Sequence, residues 1–247
     1  MRIKRFGVCI AALCAVAAVS AATETGDKEP FWLGGDISGM NATRLRVWVN
    51  PKDGFCSPED VLKMAKRSQA LGMPVMIDFH YSDWWADPGK QNPPKAWLGM
   101  TLEQTEKALA DHTRQTLRLL KDNGIDVKWV QVGNETTHGF LWPMGRFEEN
   151  PVNYASLTKA GIKAVREVYP EAEVIIHLDN GFDQGLYDRV FDSLKSNGVE
   201  WDTIGISVDP YWTPEWNAED DYRLGAFSRN MPTVIMDAFK EAASSAR

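Results

Sequence analysis

The sequence predicts an α/β fold built as a (β/α) barrel. Short runs of β-branched and aromatic residues alternate with longer amphipathic stretches, the pattern of parallel strands joined by helices. Each run is also apolar on one face and polar on the other, whereas a parallel sheet covered by helices on both sides is apolar on both. A barrel reconciles the two: the apolar face meets a ring of helices, and the polar face points inward towards a site at the C-terminal strand ends. The alternative, an open doubly wound sheet, lacks its nucleotide fingerprint, since "GGDISG" after the first candidate strand falls short of GxGxxG.

Residues 1–21 read as a secretory signal. Arg2, Lys4 and Arg5 precede an apolar run from Phe6 to Val19, and Val19-Ser20-Ala21 offers a cleavage site. The run is short for a membrane span, so the mature chain is expected free of the membrane, secreted or periplasmic. A polar leader, 22–30, leads into the expected barrel domain, 31–247. Candidate strands are Phe31–Ser38, Thr43–Val49, Val75–His80, Val127–Asn134, Glu173–Asp179 and Trp201–Val208, six in all.

The helices carry their own punctuation. Ser57 precedes Pro58, Glu59 and Asp60, an N-cap followed by a first-turn proline and acids at the positive end of the dipole, and Gly72 closes that helix. Thr101 and Gln104 have capping-box spacing, and Leu109, Thr113, Leu117 and Leu120 recur at helical intervals until Gly124. Two more helices are expected near Val152–Tyr169 and Gln184–Ser196. Within the strands, period two sets Leu45, Val47 and Val49 against Arg44, Arg46 and Trp48, and Val75, Ile77 and Phe79 against Met76, Asp78 and His80. It also sets Val130 and Val132 against Gln131, Gly133 and Glu135, Val174, Ile176 and Leu178 against His177 and Asp179, and Ile204, Ile206 and Val208 against Ser207 and Asp209.

A chain of 247 residues and 44% hydrophobic content suits one domain. Its net charge of −7 becomes more negative still if the three signal-region cations are removed, which argues against nucleic acid as a partner. Of three cysteines only Cys56 lies beyond the signal, so an intramolecular disulfide is excluded.

Two places do not add up to a closed barrel. "GGDISGM" runs directly into "NATRLRVWV", although parallel neighbours need a crossover of about a dozen residues, so a segment is expected to be missing near Met40/Asn41. At the other end Met231, Val234, Ile235, Ala238, Phe239 and Ala242 have helical spacing, so that the expected sixth helix runs out at Arg247 and leaves open sheet edges.

Chemistry concentrates in two stretches. In "WVQVGNETTHGFLWP" a strand ends on Asn134 and Glu135, with Trp129 and Trp142 nearby. A carboxyl held against aromatic surface has its charged form disfavoured and can donate a proton near neutral pH, while Asn134 can bond a sugar hydroxyl. The "NET" and "NAT" matches to a glycosylation sequon are read as chance. The second stretch, "DFHYSDWWADPGKQNPPKAW", packs five aromatics with His80, Asp83 and Asp87. Aromatic faces stack on sugar rings and carboxylates bond hydroxyls, which fits a carbohydrate cleft. Metal binding by His80, Asp83 and Asp87 is not expected, because no tight ligand motif is present.

Together and in this order, "RLRVWVNP", "DFHYSDWWADPGKQ", "VQVGNE", "GFLWPMG" and "SVDPYW" resemble glycoside hydrolase family 53, the secreted endo-β-1,4-galactanases acting on arabinogalactan. The resemblance implies a (β/α)8 TIM barrel, about six of whose eight strands are in this chain. It implies retaining chemistry on β-1,4-galactan by a monomer, with the acid/base following Asn at the fourth strand, hence Asn134 and Glu135. Arg46, His80, Asp83, Asn134, Asp179 and Asn180 would then bind and orient the sugar, and Trp84, Trp85, Trp142, Tyr211 and Trp212 would stack on it. The family nucleophile is a second Glu on the seventh strand, expected beyond Arg247; Asp237 in "PTVIMDAF" is read as helical instead. Asp209 stands where the family more often has an aromatic. No cofactor is expected, with calcium, bound by some relatives, left open. The runner-up readings are another endo-β-glycanase of the same barrel clan, such as a mannanase, and an inactive galactan-binding fragment. By itself the chain is expected to be a poor galactanase and poorly folded.

Overall fold

The computed structural model describes residues 42–181 and 183–207. The chain divides into two compact units, and every described residue lies in the one spanning Leu33–Pro232. The signal region, the polar leader, the candidate strand Phe31–Ser38, the Met40/Asn41 junction, Asp209, Tyr211, Trp212 and the Asp237 segment lie outside the described residues.

The described chain runs β1 (Thr43–Val47), α1 (Pro58–Ala70), β2 (Val75–Phe79), α2 (Leu102–Asp122) and β3 (Val127–Val132). A small hairpin, β4 (Gly139–Phe140) with β5 (Gly145–Arg146), follows, then α3 (Pro151–Val168), β6 (Glu173–Leu178), α4 (Gln184–Ser196) and β7 (Thr203–Ile206). The helix starts form where the side chains can hold them. The Asp60 N–H donates to Ser57 Oγ at 3.2 Å, Thr101 and Gln104 close a reciprocal capping box, and the Leu186 N–H donates to Asp183 Oδ1 at 2.9 Å.

One sheet runs β1-β2-β3-β6-β7, every pair parallel. Strand order therefore follows chain order without a reversal. A doubly wound sheet has a switch point where the order reverses, so this topology argues for consecutive units of a barrel. The apolar strand faces pack outward onto the helices: Leu45, Val47, Ile77, Val130, Val132 and Ile176 share one core with Val61, Leu109, Leu117, Leu157 and Val190. The opposite face buries Asp78, Gln131 and His177.

The strands are shorter at their C-terminal ends than the sequence suggests. After Val132 the backbone enters left-handed geometry at Gly133 (φ 86°) and Glu135 (φ 48°), which ends the ladder and turns the next side chains across the top of the sheet. Gly133 is required there, since a Cβ would meet Thr136 Cγ2 at 2.5 Å. The β4–β5 hairpin was not legible in "GFLWPMG"; at Gly139 a Cβ would stand 1.9 Å from the Gly145 carbonyl oxygen, so only glycine admits the pairing.

Candidate active site

The polar face of the sheet converges on Asn134. Its Oδ1 accepts from Arg44 Nη2 at 2.8 Å and from Gln131 Nε2 at 3.3 Å, while its Nδ2 donates to the Ala86 carbonyl at 2.8 Å. Beneath it the buried Asp78 carboxylate takes Gln131 Nε2 at 2.5 Å, Arg44 Nη2 at 2.9 Å and His80 Nε2 at 3.2 Å. Burial alone would raise this carboxyl, but the charge of Arg44 and the positive N–H end of His80 hydrogen-bonded to it outweigh that and hold Asp78 down at about 2. His80 cannot turn away, because the Ala86 N–H donates to its Nδ1 at 3.0 Å and so leaves the ring proton on Nε2, facing Asp78.

Glu135 projects from the turn above β3, half-buried. Ser207, just past β7, donates its hydroxyl to Glu135 Oε1 at 2.6 Å, and His177 of β6 stands behind it with Nε2 at 3.0 Å from Ser207 Oγ. The Glu135 N–H donates to His177 Nδ1 at 3.2 Å. Burial raises the Glu135 carboxyl above its ordinary value; the Ser207 hydrogen bond opposes that and Asp179 reinforces it. The raised carboxyl is in the direction the sequence expectation gives; Trp129 pairs opposite Glu173 within β3.

An aromatic wall flanks this centre. Trp84 and Trp85 are exposed at 57% and 41%, and Trp48 lies behind them with its ring 4.7 Å from that of Trp84. The Arg46 guanidinium stacks on Trp85 at 3.6 Å and lies 5.2 Å from Trp48. Trp142 is half-buried on the hairpin, its indole N–H donating to the His138 carbonyl at 2.8 Å, with Arg146 over its ring.

The structure thus brings His80, Asn134 and Glu135 into one network and sets Arg46, Trp84 and Trp85 together beside it. Three other expected residues are engaged locally. Asp83 takes the Asn50 N–H at 3.0 Å and the Lys95 N–H at 2.9 Å, a clamp between loops. Asp179 accepts from Thr137 Oγ1 and from Asn180 Nδ2, with Asn180 exposed and at φ 51°. The site list drawn from the sequence omitted Arg44, Asp78, Gln131, His177 and Ser207, all of which alternation had placed on the polar face. Gln91 was omitted as well; it is buried and holds the Asn134 carbonyl at 2.8 Å. Among the described residues no group of three or more His, Cys, Asp or Glu is placed to hold a metal ion.

The profile of glycosyl hydrolase family 53 matches residues 7–235. This chain belongs to glycosyl hydrolase family 53. Family 53 relatives include the probable arabinogalactan endo-β-1,4-galactanase A of Neosartorya fischeri, 36% identical over 184 residues, covering 72% of this chain and 51% of that protein. An uncharacterised protein encoded in the bgaB 5′ region of Niallia circulans is 39% identical over 196 residues, covering 76% and 54%. The solved family 53 catalytic domain of Ignisphaera aggregans superposes with a TM-score of 0.71 at 34% identity, covering 83% of this chain and 60% of that one. The chain spans about half the length of the curated relatives it matches. The family 53 fold is a (β/α)8 barrel, and the five-stranded sheet with its helices is a run of consecutive βα units of it.

Proposed function

We propose that the protein is a secreted, retaining endo-β-1,4-galactanase that hydrolyses the galactan backbone of arabinogalactan, with Glu135 as general acid and then general base. The observation that carries this reading is the half-buried Glu135 carboxyl at the C-terminal end of a barrel strand, its ionised form disfavoured by burial, in a chain of family 53. Such a carboxyl holds a proton for the leaving glycosidic oxygen and, once ionised, draws a proton from water.

In a retaining double displacement a second carboxylate, about 5 to 5.5 Å away, attacks the anomeric carbon. Asp78 is unsuited to that part, because Arg44, His80 and Gln131 already occupy its oxygens. The family resemblance implies that the nucleophile is a second Glu on the seventh strand, outside the described residues. Arg44, Asp78 and Gln131 hold Asn134 in place, and the second amide hydrogen of Asn134 remains for a sugar hydroxyl. Arg46, stacked on Trp85, stiffens the aromatic wall on which the galactan chain rests. The secreted destination rests on the pattern of residues 1–21.

The test, made on the enzyme completed with its seventh-strand nucleophile, is release of reducing ends from β-1,4-galactan, compared with β-mannan, by that enzyme and by its Glu135→Gln variant. The expected result is cleavage of galactan that the substitution abolishes, while an activated aryl β-galactoside retains partial turnover because its leaving group needs little protonation. Equal loss on both substrates would remove Glu135 from the acid/base role. Cleavage of mannan alone would favour the mannanase reading, and binding of galactan without cleavage would favour a binding protein.

A further inference from the structure

A carboxylic acid that protonates a leaving group must carry its proton on the oxygen that faces the substrate. The two oxygens of Glu135 differ in their surroundings: Oε1 meets the Ser207 hydroxyl at 2.6 Å, whereas Oε2 makes no hydrogen bond among the described residues. Ser207 Oγ stands between Glu135 Oε1 and His177 Nε2, and it has a single hydrogen, so it can donate to one and must accept from the other. The ring decides which. Its Nδ1 faces the Glu135 N–H, which can only donate, so Nδ1 is bare and the proton of a neutral imidazole sits on Nε2. Asn134 Oδ1, 3.1 Å from the same Nδ1, is already supplied by Arg44 and Gln131. His177 is buried, and desolvation, with Arg44 nearby, pushes it down to about 3, so the ring stays neutral.

The donors then form a closed loop that begins and ends on one residue: Glu135 N–H to His177 Nδ1, His177 Nε2–H to Ser207 Oγ, Ser207 O–H to Glu135 Oε1. We propose that Ser207 and His177 are positioning residues that keep Oε1 an acceptor through the catalytic cycle, so that the exchangeable proton of Glu135 resides on Oε2. This rests on reading Glu135 as the acid/base. Neither residue touches the reacting atoms; each acts through Glu135. The other charged or titratable groups facing this carboxyl are Arg44 on β1, Asp87 in the loop after β2, Asp179 at the end of β6 and Tyr187 on α4. The Tyr187 hydroxyl donates to the Leu178 carbonyl at 3.1 Å, and among the described residues Arg44, Asp87 and Asp179 make no hydrogen bond to Oε1.

The experiment labels histidine rings with 15N and glutamate side-chain carboxyls with 13C in the full chain, and follows both by NMR through the Glu135 titration. His177 is expected to keep the Nε2–H tautomer on both sides of the Glu135 midpoint. Ser207→Ala is expected to move that midpoint upward, because it deletes a donor that favours the charged form, and Ser207→Thr to restore it. A ring that changes to Nδ1–H as Glu135 protonates, or a Glu135 midpoint unmoved by Ser207→Ala in a variant with native dispersion, would overturn the proposal. If Ser207→Ala fails to fold, the wild-type tautomer reading decides alone. These readouts need no turnover, so a protein that shows them without cleaving galactan contradicts the galactanase reading and leaves the loop standing. Where galactan is cleaved, Ser207→Ala is expected to lower kcat on galactan roughly tenfold or more with KM little changed, and to spare the activated aryl galactoside.

Discussion

Replacing Asp78 by Asn keeps the shape of the site and removes the charge that organises it. Three donors converge on the Asp78 carboxylate, from Gln131 at 2.5 Å, Arg44 at 2.9 Å and His80 at 3.2 Å. An Asn offers one oxygen and one NH2, so in either orientation a donor faces a donor. His80 cannot relieve the clash by moving its proton, since its Nδ1 is occupied by the Ala86 N–H. Breaking a buried ion pair from one side costs about 3–5 kcal/mol; the Arg44 side chain is 43% exposed and can partly rehydrate, which places the loss near about 3 kcal/mol. Linkage gives a similar size: a shift from 3.8 to about 2 corresponds to about 2 kcal/mol. The sign follows from the depressed folded value, the stabilisation being complete above pH 3.8 and lost as pH falls towards about 2. Urea unfolding at pH 7 should show a lower midpoint at unchanged slope, with a melting temperature roughly 6–12 °C lower, and the deficit should shrink towards pH 2. A loss under about 1 kcal/mol at pH 7, or one independent of pH between 4 and 2, would refute this account of the pair.

Three further outcomes follow from the packing. His112, half-buried among Phe79, Tyr81 and Trp97, is pushed down to about 4 by desolvation, so the unfolded chain binds a proton between pH 6.5 and 4 that the folded chain refuses. Stability should fall by about 3 kcal/mol as pH drops through that window, and His112→Phe should flatten that part of the profile in pH-dependent urea melts. Gly161→Ala on α3 should destabilise by about 1–3 kcal/mol despite the better helix former, because the new Cβ meets Val132 Cγ1 at 2.7 Å and Tyr81 Oη at 3.1 Å; the urea midpoint reads this. Trp84→Ala or Trp85→Ala should raise KM for galactan roughly two- to tenfold at little cost in kcat, and a fall in kcat with KM untouched would show that the ring supports the chemistry instead.

How far the sequence reached can be seen strand by strand. Alternation identified the face of each strand that carries Arg44, Asp78, Gln131, His177 and Ser207, because period two is a local property of extended backbone. It could not choose between Arg44 and Arg46, which share that face. The choice is made across the sheet, where Arg44 reaches Asp78 and Asn134 while Arg46 stacks on Trp85. Capping was equally local, and Ser57 and the Thr101–Gln104 box sit where their spacing placed them. Asn134 and Glu135 drew notice because they end an apolar run. Their environment was hidden, since Ser207 lies 72 residues from Glu135 in sequence and meets it only through strand neighbours. Asp83 looked like a sugar ligand by its company of tryptophans, and only the loop geometry shows both its oxygens taken by backbone N–H groups.

The role of Glu135 is tested most directly by chemical rescue of Glu135→Ala with azide in the enzyme completed with its seventh-strand nucleophile, using an activated aryl β-galactoside. Removing the base from a retaining site leaves a glycosyl-enzyme that water attacks slowly, and a small anion that needs no base can occupy the vacated space. The account predicts that azide restores turnover in a concentration-dependent way and that the product is the β-galactosyl azide. No acceleration by azide, or an α-configured azide, would contradict it.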